Sequence, residues 1–168
     1  AVPIGTALAA LWDQREVVRA FAVRSVRIRY RQAVFGVAWA VAQPLALLLP
    51  YLWFFRRDGE GAVAATLAAL IGWQYLSQAT TNGAGALVNE AVLVRKTAFA
   101  REAPVVAAVG AAGVELAVGL VLFVVAGPLL GARWGWATVP GALAGVLGLA
   151  VVALACSLPL AALNAQYR

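Results

Sequence analysis

The chain has 168 residues, of which 64% are hydrophobic and 12% charged, and its mean hydropathy is +0.87. A soluble domain of this length needs more polar surface, so the composition predicts an integral membrane protein. The formal charge is +6, but histidine is absent and the single cysteine, Cys156, lies in an apolar run, which excludes disulfides and Cys/His metal sites within this sequence.

The first predicted element is a helix over residues 6–31, which contain no proline and no glycine after Gly5. Its second half holds four arginines in eight residues: Arg24, Arg27, Arg29 and Arg31. On a 3.6-residue period most of these fall opposite an apolar stripe, which favours an amphipathic helix at the membrane surface with its guanidinium groups near lipid phosphates. An ordinary solvated basic helix that fixes topology is the alternative.

Apolar segments of at least about 20 residues predict transmembrane helices, since a hydrocarbon core is about 30 Å thick. Four segments meet this criterion: 33–55, 62–88, 104–130 and 137–163. With the helix over 6–31, they predict an all-α membrane protein in a single transmembrane domain, residues 1–168. A charged connection, 89–102, joins the second and third spans.

The second span becomes polar halfway along its length, in a run that includes Gln74, Ser77, Gln78, Thr80, Thr81 and Asn82. Such side chains are costly where they face lipid. We therefore expect this side of the helix to face other helices or a water-filled path.

The third span carries an acidic residue, Glu115, and a carboxylate at that depth faces protein or water, or is protonated. It is a candidate functional residue or, alternatively, a polar contact that fixes neighbouring helices. The glycine pairs Gly110/Gly113 and Gly141/Gly145 predict close helix packing in the third and fourth spans.

Aromatic residues cluster near the predicted ends of the first two spans. They are either interfacial anchors or the lining of a path for a molecule that stacks on rings, such as a sugar. Together with polar residues of the spans, they give these candidates for the wall of a path: Trp39, Tyr51, Trp53, Phe54, Gln74, Tyr75, Gln78 and Glu115.

Orientation follows from the distribution of Lys and Arg. Ten lie on the side that contains the N-terminal helix and the 89–102 connection, against three on the other side. The positive-inside rule therefore predicts a cytoplasmic N-terminus. Because the arginines bracket membrane segments and form no soluble basic face, we expect no nucleic-acid partner.

Catalytic patterns are missing from the sequence. It has no histidine base, no paired carboxylates, no nucleophile motif and no phosphate-binding loop. We therefore expect a chain that is not itself an enzyme.

Two stretches carry a more specific signal. The first comprises Arg27-Ile28-Arg29-Tyr30-Arg31-Gln32, then Gly36, Trp39 and Gln43-Pro44-Leu45. The second comprises Asn89, Leu93, Val94, Arg95, Lys96, Phe99, Arg101 and Glu102, and a weaker third is Leu163-Asn164 with Tyr167-Arg168. Together they resemble the permease subunits of type-2 ABC exporters of the polysaccharide class. Ala100 departs from the family pattern, which usually has proline there.

The resemblance implies a permease that exports a lipid-linked glycan, of the O-antigen, capsule, galactan or teichoic acid type, across the bacterial inner membrane. Two permeases would pair with two ATPase subunits, which would hold ATP and Mg²⁺; this chain would need no cofactor. Such permeases have six spans and this sequence has four, so we expect a fragment. An exporter of drugs or simple lipids, and a non-transporting subunit that docks a cytoplasmic enzyme, are the alternatives.

The resemblance also implies residue roles. The segment 89–102 would be the coupling segment that contacts the ATPase, through Leu93, Arg95, Lys96, Phe99, Arg101 and Glu102. The helix over 6–31 would be the gate helix, meeting the lipid pyrophosphate through Arg24, Arg27, Arg29, Tyr30 and Arg31.

Overall fold

A computed structural model of the chain describes residues 61–90, 102–133, 135–136 and 138–167, together with residues 16, 19–20, 22–24, 42–43, 45–47, 49–50 and 53. Regular structure in this part of the chain is entirely helical, so the all-α class is confirmed for these residues. The described residues within 16–24 and within 42–53 have helical backbone. Most of the predicted amphipathic helix and of the first span lies outside the described residues.

The first complete helix, α1, is Ala62–Asn89. It follows Gly61, whose φ of 87° is a left-handed conformation that suits glycine, and the Gly61 carbonyl accepts the first helical hydrogen bond from the Ala65 amide at 2.9 Å. At the other end, the Glu90 amide donates to the Ala86 carbonyl at 3.1 Å. The helix therefore covers the predicted second span, 62–88.

The second helix, α2, is Ala103–Ala126, with a proline in its first turn, where the missing amide hydrogen costs nothing. Gly127 follows the last helical residue, and a 3-10 turn over Pro128–Leu130 comes next. Gly131, at φ 86°, closes this turn. The sequence pattern predicted a span to residue 130. The α-helix stops earlier because Pro128 has no amide hydrogen and its ring clashes with the preceding turn.

The third helix, α3, is Thr138–Gln166 and covers the predicted fourth span, 137–163. Pro159 lies within it and removes one backbone hydrogen bond to the carbonyl four residues earlier. At about 1.5 Å per residue, α2 is about 36 Å long and α3 about 44 Å, and both exceed the roughly 30 Å of a hydrocarbon core.

The three helices pack with α1 in the middle, and α1 contacts α2 and α3 more extensively than these contact each other. Ala86 near the end of α1 packs with Val105 of α2 and Ala161 of α3. The start of α1 lies beside the turn after α2, since Gly61 approaches the Gly131 carbonyl. Thus α2 runs antiparallel to α1, and α3 runs parallel to it.

The buried face of α1 is a stripe of residues spaced three and four apart: Ala64, Leu67, Ile71, Tyr75, Ala79, Gly83 and Ala86. The matching stripe on α3 is Ala153, Ser157 and Ala161, one residue per helical turn. Small side chains dominate both stripes, and they let helix backbones approach closely, as in packed membrane helices.

Glycines make the closest approaches, but not the glycines that the sequence pattern indicated. A Cβ atom at Gly83 would lie 2.5 Å from the Ser157 side chain, and one at Gly119 would lie 2.6 Å from Ile71 Cγ2. Among the residues that the structure describes, nothing lies within 4 Å of such an atom at the predicted packing glycines Gly110, Gly113, Gly141 and Gly145. The spacing was present in α2 and α3, but those positions face away from α1.

Two of the described helices, α2 and α3, are long and apolar enough to cross a membrane. Only 22% and 17% of the residues in their most apolar windows are buried inside the structure. A core helix of a soluble protein would be covered by its own chain, whereas α3 exposes valine and leucine over most of its length and α2 exposes valine from its midpoint onward. By length and composition these two helices point to a membrane protein. Spanning by α1 and by 33–55 stays a prediction.

Candidate functional site

An ion pair joins the N-terminal segment to the end of α1. Arg24 Nη1 donates to Glu90 Oε2 at 3.3 Å, and the side chains are 53% and 19% exposed respectively. Glu90 is the residue immediately after α1, so the contact lies where the chain leaves this helix. The sequence singled out Arg24 but not its acidic partner, because the two are 66 residues apart and no local pattern links them.

The N-terminal segment presents one helical face around this contact. An open groove of about 410 Å³ is lined by Glu16, Arg19, Ala20, Val23 and Arg24, a set spaced three and four apart. Ala20 and Arg24 share this face, as the 3.6-residue period predicted. Glu16 and Arg19, which the sequence analysis passed over, lie on the same face.

The helix ends near Glu90 form one end of the bundle. Asn164 of α3 donates from Nδ2 to the Ala84 carbonyl of α1 at 3.0 Å, which fixes the last turns of the two parallel helices. Asn164 belongs to the weakest of the three stretches that resemble the permease pattern. In this structure its side chain joins α3 to α1. Glu102, at the start of α2, is exposed, and its carbonyl accepts a hydrogen bond from the Val106 amide at 3.0 Å.

The predicted coupling segment, 89–102, begins and ends at this end of the bundle, at Asn89 and Glu102. Its other candidate contacts lie outside the described residues: Leu93, Arg95, Lys96, Phe99 and Arg101. The remaining gate-helix candidates also lie outside them: Arg27, Arg29, Tyr30 and Arg31. Their roles stay predictions.

The polar side of α1 is left uncovered by α2 and α3. Trp73 is 67% exposed, and Ser77 and Thr81, one and two turns further on, are also exposed. Gln74 and Gln78 flank them and are half-buried. We call this set of five residues the polar stripe. The polar stripe lies on the side of this helix that the sequence predicted to face other helices or a water-filled path.

The other path candidates occupy different surroundings. Tyr75 lies in the core beside Ile71 and Leu116 and is only 4% exposed, so its ring fills space between helices and offers no surface to a path. Glu115 is half-buried on α2 and has an interaction partner. Trp53 is exposed and also has an interaction partner. Three further candidates lie outside the described residues: Trp39, Tyr51 and Phe54.

Asn82 is a partly buried polar residue, which the sequence analysis noted only as part of the polar run of the second span. Its Nδ2 is enclosed and has no hydrogen-bond partner among the residues that the structure describes. As for metals, no three His, Cys, Asp or Glu side chains come together within the described ranges.

Comparison with known proteins gives two curated relatives, both an "O-antigen export system permease protein RfbA" of Klebsiella pneumoniae. They are 27% and 26% identical to this chain over 82 residues, a match that covers 46% of this chain and 32% of each relative. The match thus spans about a third of the length of these relatives. No family model and no solved structure matches the chain. The similarity is partial and distant, and it supports a permease of the ABC-2 type.

Proposed function

We propose that this chain forms part of the permease subunit of an ABC exporter that moves a lipid-linked polysaccharide across the bacterial cytoplasmic membrane. The observation that carries the proposal is the 27% identity to an O-antigen export permease over 82 residues. The two apolar helices, α2 and α3, and their largely uncovered surfaces support a place in the bilayer. The glycan would be of the O-antigen, capsule, galactan or teichoic acid type.

The energy for transport would come from ATP hydrolysis in a separate subunit. In this proposal the coupling segment, 89–102, contacts that ATPase, with Phe99 as an apolar plug and Arg95 and Lys96 as polar contacts. Support comes from the antiparallel arrangement of α1 and α2, which brings the two ends of the segment to the same end of the bundle. A displacement of the segment by the ATPase would therefore act on both helices together.

The gate-helix arginines would meet the pyrophosphate of the lipid carrier at the cytoplasmic leaflet. Guanidinium groups suit this role because they are always charged and bind phosphate oxygens through paired hydrogen bonds. Arg24 is already paired with a carboxylate. The proposed headgroup contacts are therefore primarily Arg27, Arg29 and Arg31.

The path for the glycan would lie in a complex of two permeases and two ATPases. We place it between the two copies of the first span, 33–55, with the polar stripe of α1 nearby. Hydroxyl and amide groups such as Ser77 and Gln78 suit a hydroxyl-rich glycan, and Trp73 offers an exposed ring on which a sugar can stack.

The test is ATP hydrolysis by the complete protein in nanodiscs, with the ATPase encoded beside it, in the presence and absence of a lipid-linked glycan. We expect the glycan to stimulate hydrolysis. The double variant Arg95→Ala/Phe99→Ala should keep basal hydrolysis by the ATPase but lose the stimulation, because both proposed contacts are removed. If no ATPase co-purifies, the chain is a docking subunit of another kind; if only simple lipids or drugs stimulate, the glycan assignment is wrong.

A second variant tests the headgroup contact. Replacing Arg27, Arg29 and Arg31 with glutamine should lower glycan transport by at least about tenfold, because each lost charge-assisted hydrogen bond costs about 1.5–3 kcal/mol. Assembly with the ATPase should be unchanged. Arg56→Gln/Arg57→Gln, on the opposite predicted side of the membrane, is the matched control and should transport normally. Normal transport by the triple variant would remove the headgroup role.

A further inference from the structure

The ion pair between Arg24 and Glu90 joins two parts of the chain that the proposed function uses separately. Arg24 lies on the N-terminal helical face, and Glu90 is the first residue beyond α1. Glu90 is thus the second residue of the proposed coupling segment, 89–102, and the first of its residues that lies between α1 and α2. The contact therefore links the gate helix to the start of the coupling segment without any intervening residues.

The physical chemistry of the pair favours a positional role. The Arg24 side chain is 53% exposed, and exposed ion pairs contribute little to folding stability. The Glu90 side chain is only 19% exposed, so it is partly covered at the end of α1, and the longer, more exposed arginine reaches toward it. A contact of this kind is worth up to about 1 kcal/mol, which favours arrangements in which the two segments lie together by a factor of a few.

We infer that the Arg24–Glu90 ion pair ties the gate helix to the start of the coupling segment, so that the two move together. Both are positioning residues: neither needs to touch the glycan or ATP. The role of this ion pair in transport rests on the proposed function, but the ion pair itself is a property of this chain. It also separates Arg24 from the other arginines of the cluster, because an anionic headgroup would have to compete with Glu90 for it.

The first test measures, by cysteine cross-linking, whether the ion pair keeps the two segments close together. In the complete protein with Cys156→Ser, cysteines at Ala20 and Asn89, both exposed, are joined by a short bis-maleimide. Arg24→Glu alone and Glu90→Arg alone should each lower the cross-linked fraction by about two- to fivefold, the range that an exposed ion pair provides. The exchange Arg24→Glu/Glu90→Arg should restore it, because the opposite charges again face each other.

Arg19→Glu is the matched control. It makes the same charge change on the same helical face but has no ion pair among the described residues, so its cross-linking should equal that of the parent. Added salt should lower cross-linking in the parent, since the Debye length falls from about 10 Å at 0.1 M to about 3 Å at 1 M. Parent-level cross-linking in Arg24→Glu, or failure of the exchange to restore it, would overturn the inference.

The functional consequence is measured with the same variants in the ATPase assay. Each single charge reversal should lower the transport achieved per ATP hydrolysed, and the exchange should recover it. Single reversals that lose the cross-link but transport normally would show that the two segments need not move together, which overturns the inference. A parent complex without glycan stimulation would instead refute the proposed function, and the cross-linking result would still decide whether the tie exists.

Discussion

At the scale of single residues, Gly83 marks a close approach of α1 and α3. A Cβ atom there would lie 2.5 Å from both Cβ and Oγ of Ser157, a side chain with no exposed surface. Ser157 Oγ also donates to the Ala79 carbonyl at 3.4 Å, one turn before Gly83. A side chain at this position would force one of the two helices to shift, so the contact favours glycine.

Gly83→Ala is therefore expected to destabilise the protein by about 1–3 kcal/mol, the usual cost of overpacking. Thermal unfolding in detergent, followed by size-exclusion chromatography, measures the change. Adding Ser157→Gly should recover most of the loss, because it removes both atoms that the new methyl group meets.

Gly110→Ala is the control for this prediction. Its added methyl group enters open space, and alanine favours a helix over glycine by about 1 kcal/mol, so the variant should be as stable as the parent or more so. Equal melting temperatures for Gly83→Ala and Gly110→Ala would contradict the close approach of α1 and α3.

At the scale of elements, α1 differs from its neighbours in what it leaves uncovered. The uncovered surfaces of α2 and α3 consist largely of valine and leucine, which suit lipid. The uncovered surface of α1 includes Ser77 and Thr81, whose hydroxyl groups gain nothing from lipid. The two kinds of surface should therefore have different surroundings in the bilayer.

Spin labels distinguish these surroundings. Labels at Ser77 and Thr81 should collide less with oxygen, which concentrates in lipid, than labels at Leu147 and Val151 on the exposed face of α3. A water-filled path would also raise collisions with a polar nickel reagent at Ser77. Equal oxygen collision rates at all four positions would show that the polar stripe faces lipid.

At the scale of the whole molecule, the two ends of the bundle are distinct. One end contains Glu90, Glu102 and the last turn of α3, and the other contains Gly61, the turn after α2 and the start of α3. The Lys and Arg residues, ten against three, predict by the positive-inside rule that the first end faces the cytoplasm.

The orientation prediction is tested with single cysteines in the Cys156→Ser background. A cysteine at Ala132, in the turn after α2, should react with a membrane-impermeant maleimide in intact spheroplasts. A cysteine at Gln166, at the end of α3, should react only after permeabilisation. The reverse labelling pattern would place the N-terminus outside the cytoplasm.

The sequence by itself determined that the chain is helical and roughly where the helices of the described part lie. Long apolar segments in a chain of this composition leave few alternatives, because backbone groups in a bilayer must be satisfied within the helix. Local chemistry also set two of the ends: α1 begins after Gly61, and α2 ends before Gly127 and Pro128. Even so, apolarity alone extended α2 to residue 130, past the proline.

Only the tertiary structure decided which residues meet. Gly83 and Gly119 make close contacts while Gly141 and Gly145, with the better motif, do not, because a motif fixes spacing along one helix but not which face its neighbours cover. Tyr75 is an aromatic residue of the kind that could line a path, yet it lies in the core. The sequence does not show which face of α1 its neighbours cover. Arg24 finds Glu90 because the packing of the helices brings together residues 66 positions apart. Helix formation depends on residues that are close in sequence, so the sequence indicated the helices. Contacts between helices depend on how the helices pack, so only the tertiary structure supplied them.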